Sequence, residues 1–499
     1  MLKPHRDDRP IQAKATPGAH GGVHVGAPGG APGGSADALP DGASIRAALA
    51  TATAPARSPS LSPALEPTGD RPRRFLFLQG HPSRFCADLI RALRARGAVC
   101  HAINLSLGDV LFRPGIGAVA YRGRLEDWED WLGTFLSAEA ITDIVYYADQ
   151  RPYHRIARRL ARRRGIEVYA YEFGYLRPDW ITLEKGGLGA FSHFPDRPEE
   201  IRRLAARFAM MRPAAEYPYG FLREAINEVT YHLAQFFVPV VFPRYQRDRV
   251  YHPLGEYLSY IPKLIGARLR DGHARRTIRS LQRAGTDYFV VALQMQGDYQ
   301  VRRASPYRDL RTMIEEVIAS FATHAPTACR LVLKMHPIEN GRVDWMGIIR
   351  ATAERHGVAG RVDVIDGGIL KVVLSTARGL VTINSTVGLH ALQAGKPVKA
   401  LGIAVYDIEG LTFQGPLDAF WNTAGPPDAA LLEDFTKLLM ATTQVKGNFF
   451  TAAGRSAAVR EVVARLMGES VNGHGAFVDP PPRLARARAA GVPILYDED

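Results

Sequence analysis

Two neighbouring runs, Leu331–Gly341 (LVLKMHPIENG) and Asp363–Gly402 (DVIDGGILKVVLSTARGLVTINSTVGLHALQAGKPVKALG), decide the fold. In the first, the apolar residues Leu331, Val332 and Leu333 end in Lys334-Met335-His336-Pro337. In the second, Gly379–Ile383 opens into Asn384-Ser385-Thr386-Val387-Gly388 and then a helical pattern. Both read as the carboxyl end of a buried strand, which is where ligands bind in open α/β sheets. The hydroxyls of Ser385 and Thr386 would stand at a helix N-terminus, whose free N–H groups and dipole attract an anion, most often a phosphate. His336, as a cation or as a hydrogen-bond donor, would face that anion from a neighbouring strand. Lys334 either adds positive charge or solvates the strand end. The expectation is a nucleotide-sugar phosphate site made by Lys334, His336, Pro337, Asn384, Ser385, Thr386 and Gly388.

Upstream, DYFVVALQMQGDYQ places a strand at Tyr288–Leu293 that ends in Gln294 and a polar loop with Asp298. These two side chains either touch substrate or cap the loop. A helix over Leu310–Thr323 leads into the first run, so residues 284–445 read as one Rossmann-like unit for the nucleotide sugar.

A second α/β unit covers residues 71–198. It opens with a strand at Phe75–Leu78, a helix at Phe85–Ala95 and a strand at Val99–Leu105. The first turn, Gln79-Gly80-His81, is not a GxGxxG fingerprint and does not indicate a dinucleotide. It either holds an acceptor or caps the helix. A third strand at Ile141–Tyr147 precedes a helix with seven arginines between Arg151 and Arg164 and no acid of its own. Such a run is either a solvated face or a contact for an anionic membrane surface. A fourth strand, Ile166–Tyr171, leads to Glu172-Phe173-Gly174 and on to Arg177, Asp179 and Glu184. A carboxylate at a strand end suits a general base; alternatively Glu172 caps a helix or pairs with Arg177.

Residues 1–70 are rich in Gly, Ala, Pro and Ser without hydrophobic periodicity and read as a disordered tail. Residues 199–283 read as a helical connector. It includes the aromatic stretch Tyr231–Tyr245 and a segment, Arg244–Arg283, with ten basic against three acidic residues. Residues 446–470 read as a closing helix and 471–499 as a flexible tail. Two α/β halves facing a cleft, with a helical insert and a C-terminal crossover helix, describe a GT-B-like α/β architecture.

The net charge of +13 points to an anionic partner. Helix-turn-helix, zinc-finger, RRM and KH signatures are absent, which argues against nucleic acid. No apolar run is long enough to span a bilayer, and Met1–Pro10 is charged, so neither a spanning helix nor a secretory signal is expected. Three cysteines without metal-ligand spacing fit a reduced, cytoplasmic setting.

The motifs FLQGHPSRFCADLIRALRARGAVCHAINLSLGD, YEFGYLRPDWITLE, VALQMQGDYQ, KMHP and NSTVGLHALQAGKPVKALG, in this order, resemble the capsular polysaccharide biosynthesis and export family of the KpsS/LipB type. The resemblance spans Arg73–Met467. It implies transfer of Kdo from CMP-Kdo to a phosphatidylglycerol-type lipid, its lyso form included, on the inner face of the cytoplasmic membrane. Such a transfer starts the β-Kdo linker of a capsular polysaccharide destined for export, alongside other capsule biosynthesis and export proteins. It further implies that His336-Pro337 contacts the CMP phosphate. Ser385-Thr386 is similar to the phosphate-contacting turn of GT-B-fold bacterial sialyltransferases. Their acidic-acidic-Gly motif falls on Glu172-Phe173-Gly174, where Phe173 replaces the second acid; the catalytic carboxylate is then Glu172, Asp179 or Glu184. Because Kdo is β-linked to CMP, a β-linked product means retention, and Glu172 acts as base or as nucleophile. No Asp-x-Asp pair occurs in the C-terminal unit, so neither a metal nor a cofactor is expected. Two other readings stay open: a GT-B-fold transferase or epimerase using another sugar nucleotide, and a non-catalytic export component.

Overall fold

The computed structural model describes residues 72–210, 216–218, 227, 230–231, 238–246, 253–339 and 341–494. The tail expected over 1–70 lies outside the described residues, as do 232–237 and Tyr251, and the side chains of Tyr257 and Tyr260.

The N-terminal lobe is built on a sheet of seven strands. They are β1 (Arg74–Phe77), β2 (Val99–Asn104), β3 (Val119–Ala120), β4 (Asp143–Tyr147), β5 (Glu167–Phe173), β6 (Trp180–Lys185) and β12 (Gln444–Lys446), in the order β12-β6-β5-β4-β1-β2-β3. The first five in chain order are parallel, and β6 and β12 add an antiparallel edge. Alternation along β1 sorts its side chains between two cores. Phe75 and Phe77 pack with the helices Phe85–Arg94 and Ala452–Met467, while Leu76 and Leu78 pack with the helices Trp128–Ala138 and Pro152–Arg163. The strands expected as third and fourth are β4 and β5, because the two-residue β3 carries no readable period. Strands β6 and β12 went unread, the first hidden inside an expected loop and the second only three residues long.

The C-terminal lobe carries β7 (Tyr288–Ala292), β8 (Arg330–Lys334), β9 (Val362–Ile365), β10 (Gly379–Thr382) and β11 (Val398–Ala400), all parallel, in the order β11-β10-β7-β8-β9. The chain order reverses direction at β7/β10 here and at β1/β4 in the first sheet. Those switch points open crevices beyond the strands' carboxyl ends. The chain then crosses back: β12 pairs with β6, and the helix Ala452–Met467 lies against Phe85–Arg94 with Arg455 on Asp88 at 2.6 Å. One hydrophobic core takes residues from both lobes, among them Trp180, Phe194, Val290 and Leu389. This is a GT-B-like arrangement.

Two expectations are corrected. The segment from Asn472 is not loose up to residue 494, because the fully buried Arg483 donates to the carbonyls of Phe194, Pro195 (3.2 Å) and Val405 (2.7 Å). The arginine helix is not a bare cationic face. Arg158 pairs with Asp149 at 3.3 Å, Arg159 and Arg163 share Glu129, and Arg164 donates to Gly133 and Ser137 of the neighbouring helix. Among the described residues no helix is long and apolar enough to cross a membrane.

Candidate active-site crevice

At the carboxyl edge of the second sheet the tips of β10, β7 and β8 stand side by side. The tips of β8 and β10 are two strand spacings apart, roughly 10 Å. Asn384 and Gln294 clasp across the switch point. The Gln294 amide donates to Asn384 Oδ1 at 2.9 Å, and Asn384 N donates to Gln294 Oε1 at 3.1 Å. Asn384 Nδ2 donates to the Gln300 and Ala304 carbonyls at 2.9 and 3.2 Å. Both amides are thereby consumed in holding the tip. Next come Ser385 and Thr386, half-buried, at the start of the helix Val387–Gln393; Ser385 Oγ accepts from Val387 N at 3.3 Å. The Thr386 side chain makes no capping bond.

His336 follows β8, half-buried. Its Nδ1 accepts from Ile338 N at 3.3 Å, so the neutral ring carries its proton on Nε2. Burial, then the positive charges of Arg177, Lys263 and Lys334, push its pKa down to about 4. The ring is therefore a neutral donor rather than a cation at pH 7. Pro337 is exposed and turns the chain, with Glu339 N closing on His336 O at 3.0 Å.

Across the crevice the N-terminal lobe supplies Glu172 and Arg177. Glu172 lies within β5, opposite Thr182, rather than beyond the strand. Burial, then the carboxylates of Asp298 and Asp149, push its pKa up to about 8, against Arg177 and Arg151. Arg177 lies over the Phe173 ring at 5.1 Å and makes no hydrogen bond or ion pair among the described residues. Its charge is nevertheless felt at Glu172, Asp298, His336 and His390, so one guanidinium ties both lobes' candidates together. Asp298 caps the short helix Tyr299–Arg303 through Gln300 N at 2.9 Å, and burial raises its pKa.

Several candidates are taken up in packing instead. Gln79 is buried and bonds Asp109 and Tyr245 at 3.2 Å each. Gly80 backs onto Cys86 and Tyr171. The buried His81 ring stacks on Phe449 at 4.2 Å and meets Tyr147, Phe173 and Phe450 edge-on, which anchors the crossing chain. Asp179, at a positive φ of 61°, is buried and accepts from Tyr217 N at 2.7 Å. Glu184 is fully buried on Ser192 and on Tyr175 at 3.1 Å. Lys334 Nζ donates to Gly367 O at 2.9 Å, so it solvates a strand end.

Gly388 is buried beneath Tyr406, whose hydroxyl donates to Ser385 O; a β-carbon there would collide with that ring. The glycine thus makes room for the tyrosine that fixes the Ser385 turn. Gly388→Ala is expected to lower the thermal unfolding midpoint, at a cost of about 1–3 kcal/mol for overpacking.

Two crevice residues escaped the sequence reading. His390, on the helix after Thr386, is absent from the candidates above, yet the Arg177 charge reaches it. Arg151 had been counted with the arginine helix. A usable signal existed for Arg151: it lies in the short turn after β4, at the first sheet's switch point.

Two Rossmann-like lobes with candidate site residues at the strand tips of both define a GT-B-like protein. The capsule polysaccharide biosynthesis protein model matches residues 142–450, and the chain belongs to that family. It is 35% identical over 383 residues to the capsule polysaccharide modification protein LipB of Neisseria meningitidis serogroup B, covering 75% of this chain and 91% of that protein. It is 31% identical over 380 residues to the capsule polysaccharide export protein KpsS of Escherichia coli, covering 76% and 97%. Among solved structures it is similar to the beta Kdo 2,7 transferase KpsC of Thermosulfurimonas dismutans at 16% identity and a TM-score of 0.38. That match covers 79% of this chain and 99% of that chain, a likeness too loose to bear on chemistry.

Proposed function

We propose that this protein is a glycosyltransferase that moves Kdo from CMP-Kdo to a phosphatidylglycerol or lysophosphatidylglycerol acceptor, initiating the β-Kdo linker of an exported capsular polysaccharide. The observation that carries the reading is the convergence of His336 and Glu172 around Arg177, in a chain of the capsule family. CMP leaves as a monophosphate. His336 Nε2–H and the Ser385 and Thr386 hydroxyls meet its charge as it develops, as preorganised donors do in a site shielded from water. In this reading the donors replace a metal. Arg177, which lies over Phe173 and is unpaired among the described residues, receives the sugar carboxylate that distinguishes Kdo from a neutral sugar. Glu172 supplies the carboxylate, as base toward the acceptor hydroxyl or as nucleophile toward the anomeric carbon. The lipid acceptor places the protein at the cytoplasmic face of the inner membrane as a peripheral component.

Incubation with CMP-Kdo and a fluorescent phosphatidylglycerol tests the reading. The expected result is CMP release coupled to a shifted lipid, unchanged by a chelator. Turnover of a UDP-sugar instead, or lipid binding without any turnover, would overturn it.

A further inference from the structure

One guanidinium in the crevice has no hydrogen-bonding or ion-pair partner among the described residues. Arg151 follows the β4 tip and is half-buried, yet its guanidinium makes no hydrogen bond or ion pair among the described residues. Beneath it lies the Tyr147 ring, 5.4 Å from Cζ. Tyr147 N donates to Gln79 O at 3.0 Å, and the Gln79 amide holds the Tyr245 hydroxyl at 3.2 Å, so Tyr245 belongs to the same corner. Tyr245 is in turn stacked on Tyr153 at 5.6 Å and 11°. Tyr231 and, from the opposite lobe, Tyr299 are also close enough to act on the Arg151 charge. The guanidinium thus stands among tyrosine rings at the switch point of the first sheet, close enough to Glu172 for its charge to act there.

Leaving a guanidinium partly out of water without a counter-charge costs free energy, which folds avoid unless a ligand completes the site. A flat cation among rings fits a phosphodiester attached to an amphiphilic body: the guanidinium takes two oxygens in a fork, and the rings cover the glycerol and first methylenes. We propose that Arg151 is the acceptor subsite's anion receptor, binding the lipid phosphodiester beside Glu172 and making the enzyme selective for anionic over zwitterionic head groups. This rests on the transferase reading for the acceptor's role, but not for the binding itself.

The test is direct binding of short-chain phosphatidylglycerol, followed by titration calorimetry, to wild type, Arg151→Met and Arg151→Lys. Methionine keeps the length and the ring contact, and the unfolding midpoint checks that each variant is folded. The expected result is a loss of at least about tenfold in affinity for Arg151→Met, the size of one lost charge-assisted pair, with Arg151→Lys in between. Wild type is expected to prefer phosphatidylglycerol over phosphatidylcholine of equal chain length, and Arg151→Met to lose that preference. Unchanged affinity in Arg151→Met, or an equal loss for both lipids, overturns the subsite. Arg151-dependent binding without any CMP release from CMP-Kdo would sink the transferase reading and leave the subsite standing.

Discussion

His336→Ala is expected to lower the rate of CMP release by about a hundredfold, the loss associated with deleting one preorganised donor at a developing anion. The unfolding midpoint should hardly move, because among the described residues the ring's bond is a single long one, from Ile338 N at 3.3 Å. The low pKa sharpens the expectation. With its value near 4, set by burial and the cations around it, the free enzyme's imidazole is neutral throughout the working range. It contributes a hydrogen bond and no charge, so wild type should show no limb near pH 6.5 in kcat/KM. His336→Gln, which can still present an N–H, should recover part of the loss. Near-normal turnover in the alanine variant, or a limb near 6.5 that disappears with it, would show that the leaving phosphate is held elsewhere.

How much of this was legible in the chain depends on where each signal lives. The strand tips at His336 and Asn384 were readable because a fully buried parallel strand shows a continuous apolar run that stops abruptly. Their separation was not readable: the two strands were expected to be neighbours, whereas β7 lies between β8 and β10, and strand order is fixed by long-range packing. The antiparallel strand β6 was invisible for a related reason. WITLEK is buried along almost all its length, so it lacks the polar–apolar alternation that marks a half-exposed strand. Residue type also misled at Gly388, where a glycine beside a phosphate-like turn serves the Tyr406 ring. The seven arginines illustrate the converse. Their own helix has no acid, but Glu129 on the preceding helix and Asp149 just past β4 pair with three of the seven, and only three-dimensional structure brings those acids near.

Glu172→Gln is expected to reduce turnover by at least about a hundredfold, the lower end for removing a positioned base. In wild type the carboxyl must be ionised to act. Because burial and the neighbouring carboxylates of Asp298 and Asp149 raise its pKa to about 8, kcat/KM should climb with pH and level off above that value. Asp298→Asn keeps the helix-capping oxygen but removes one of those charges, so the limb should move to lower pH. The same carboxyl also makes a stability prediction of definite sign. Folded, it holds its proton up to about 8; unfolded, it releases it near the ordinary 4.5. Between these values the native state binds more protons, so native stability falls as pH rises through the window. Glutamine cannot ionise, and Glu172→Gln should therefore be more stable than wild type at pH 8 to 9 while being nearly inactive. A carboxyl with only a packing role would show the stability gain without the kinetic limb. A catalytic group at Asp179 or Glu184 would leave the limb in place after the Glu172 substitution. The two curves, measured on the same pair of proteins, separate these cases.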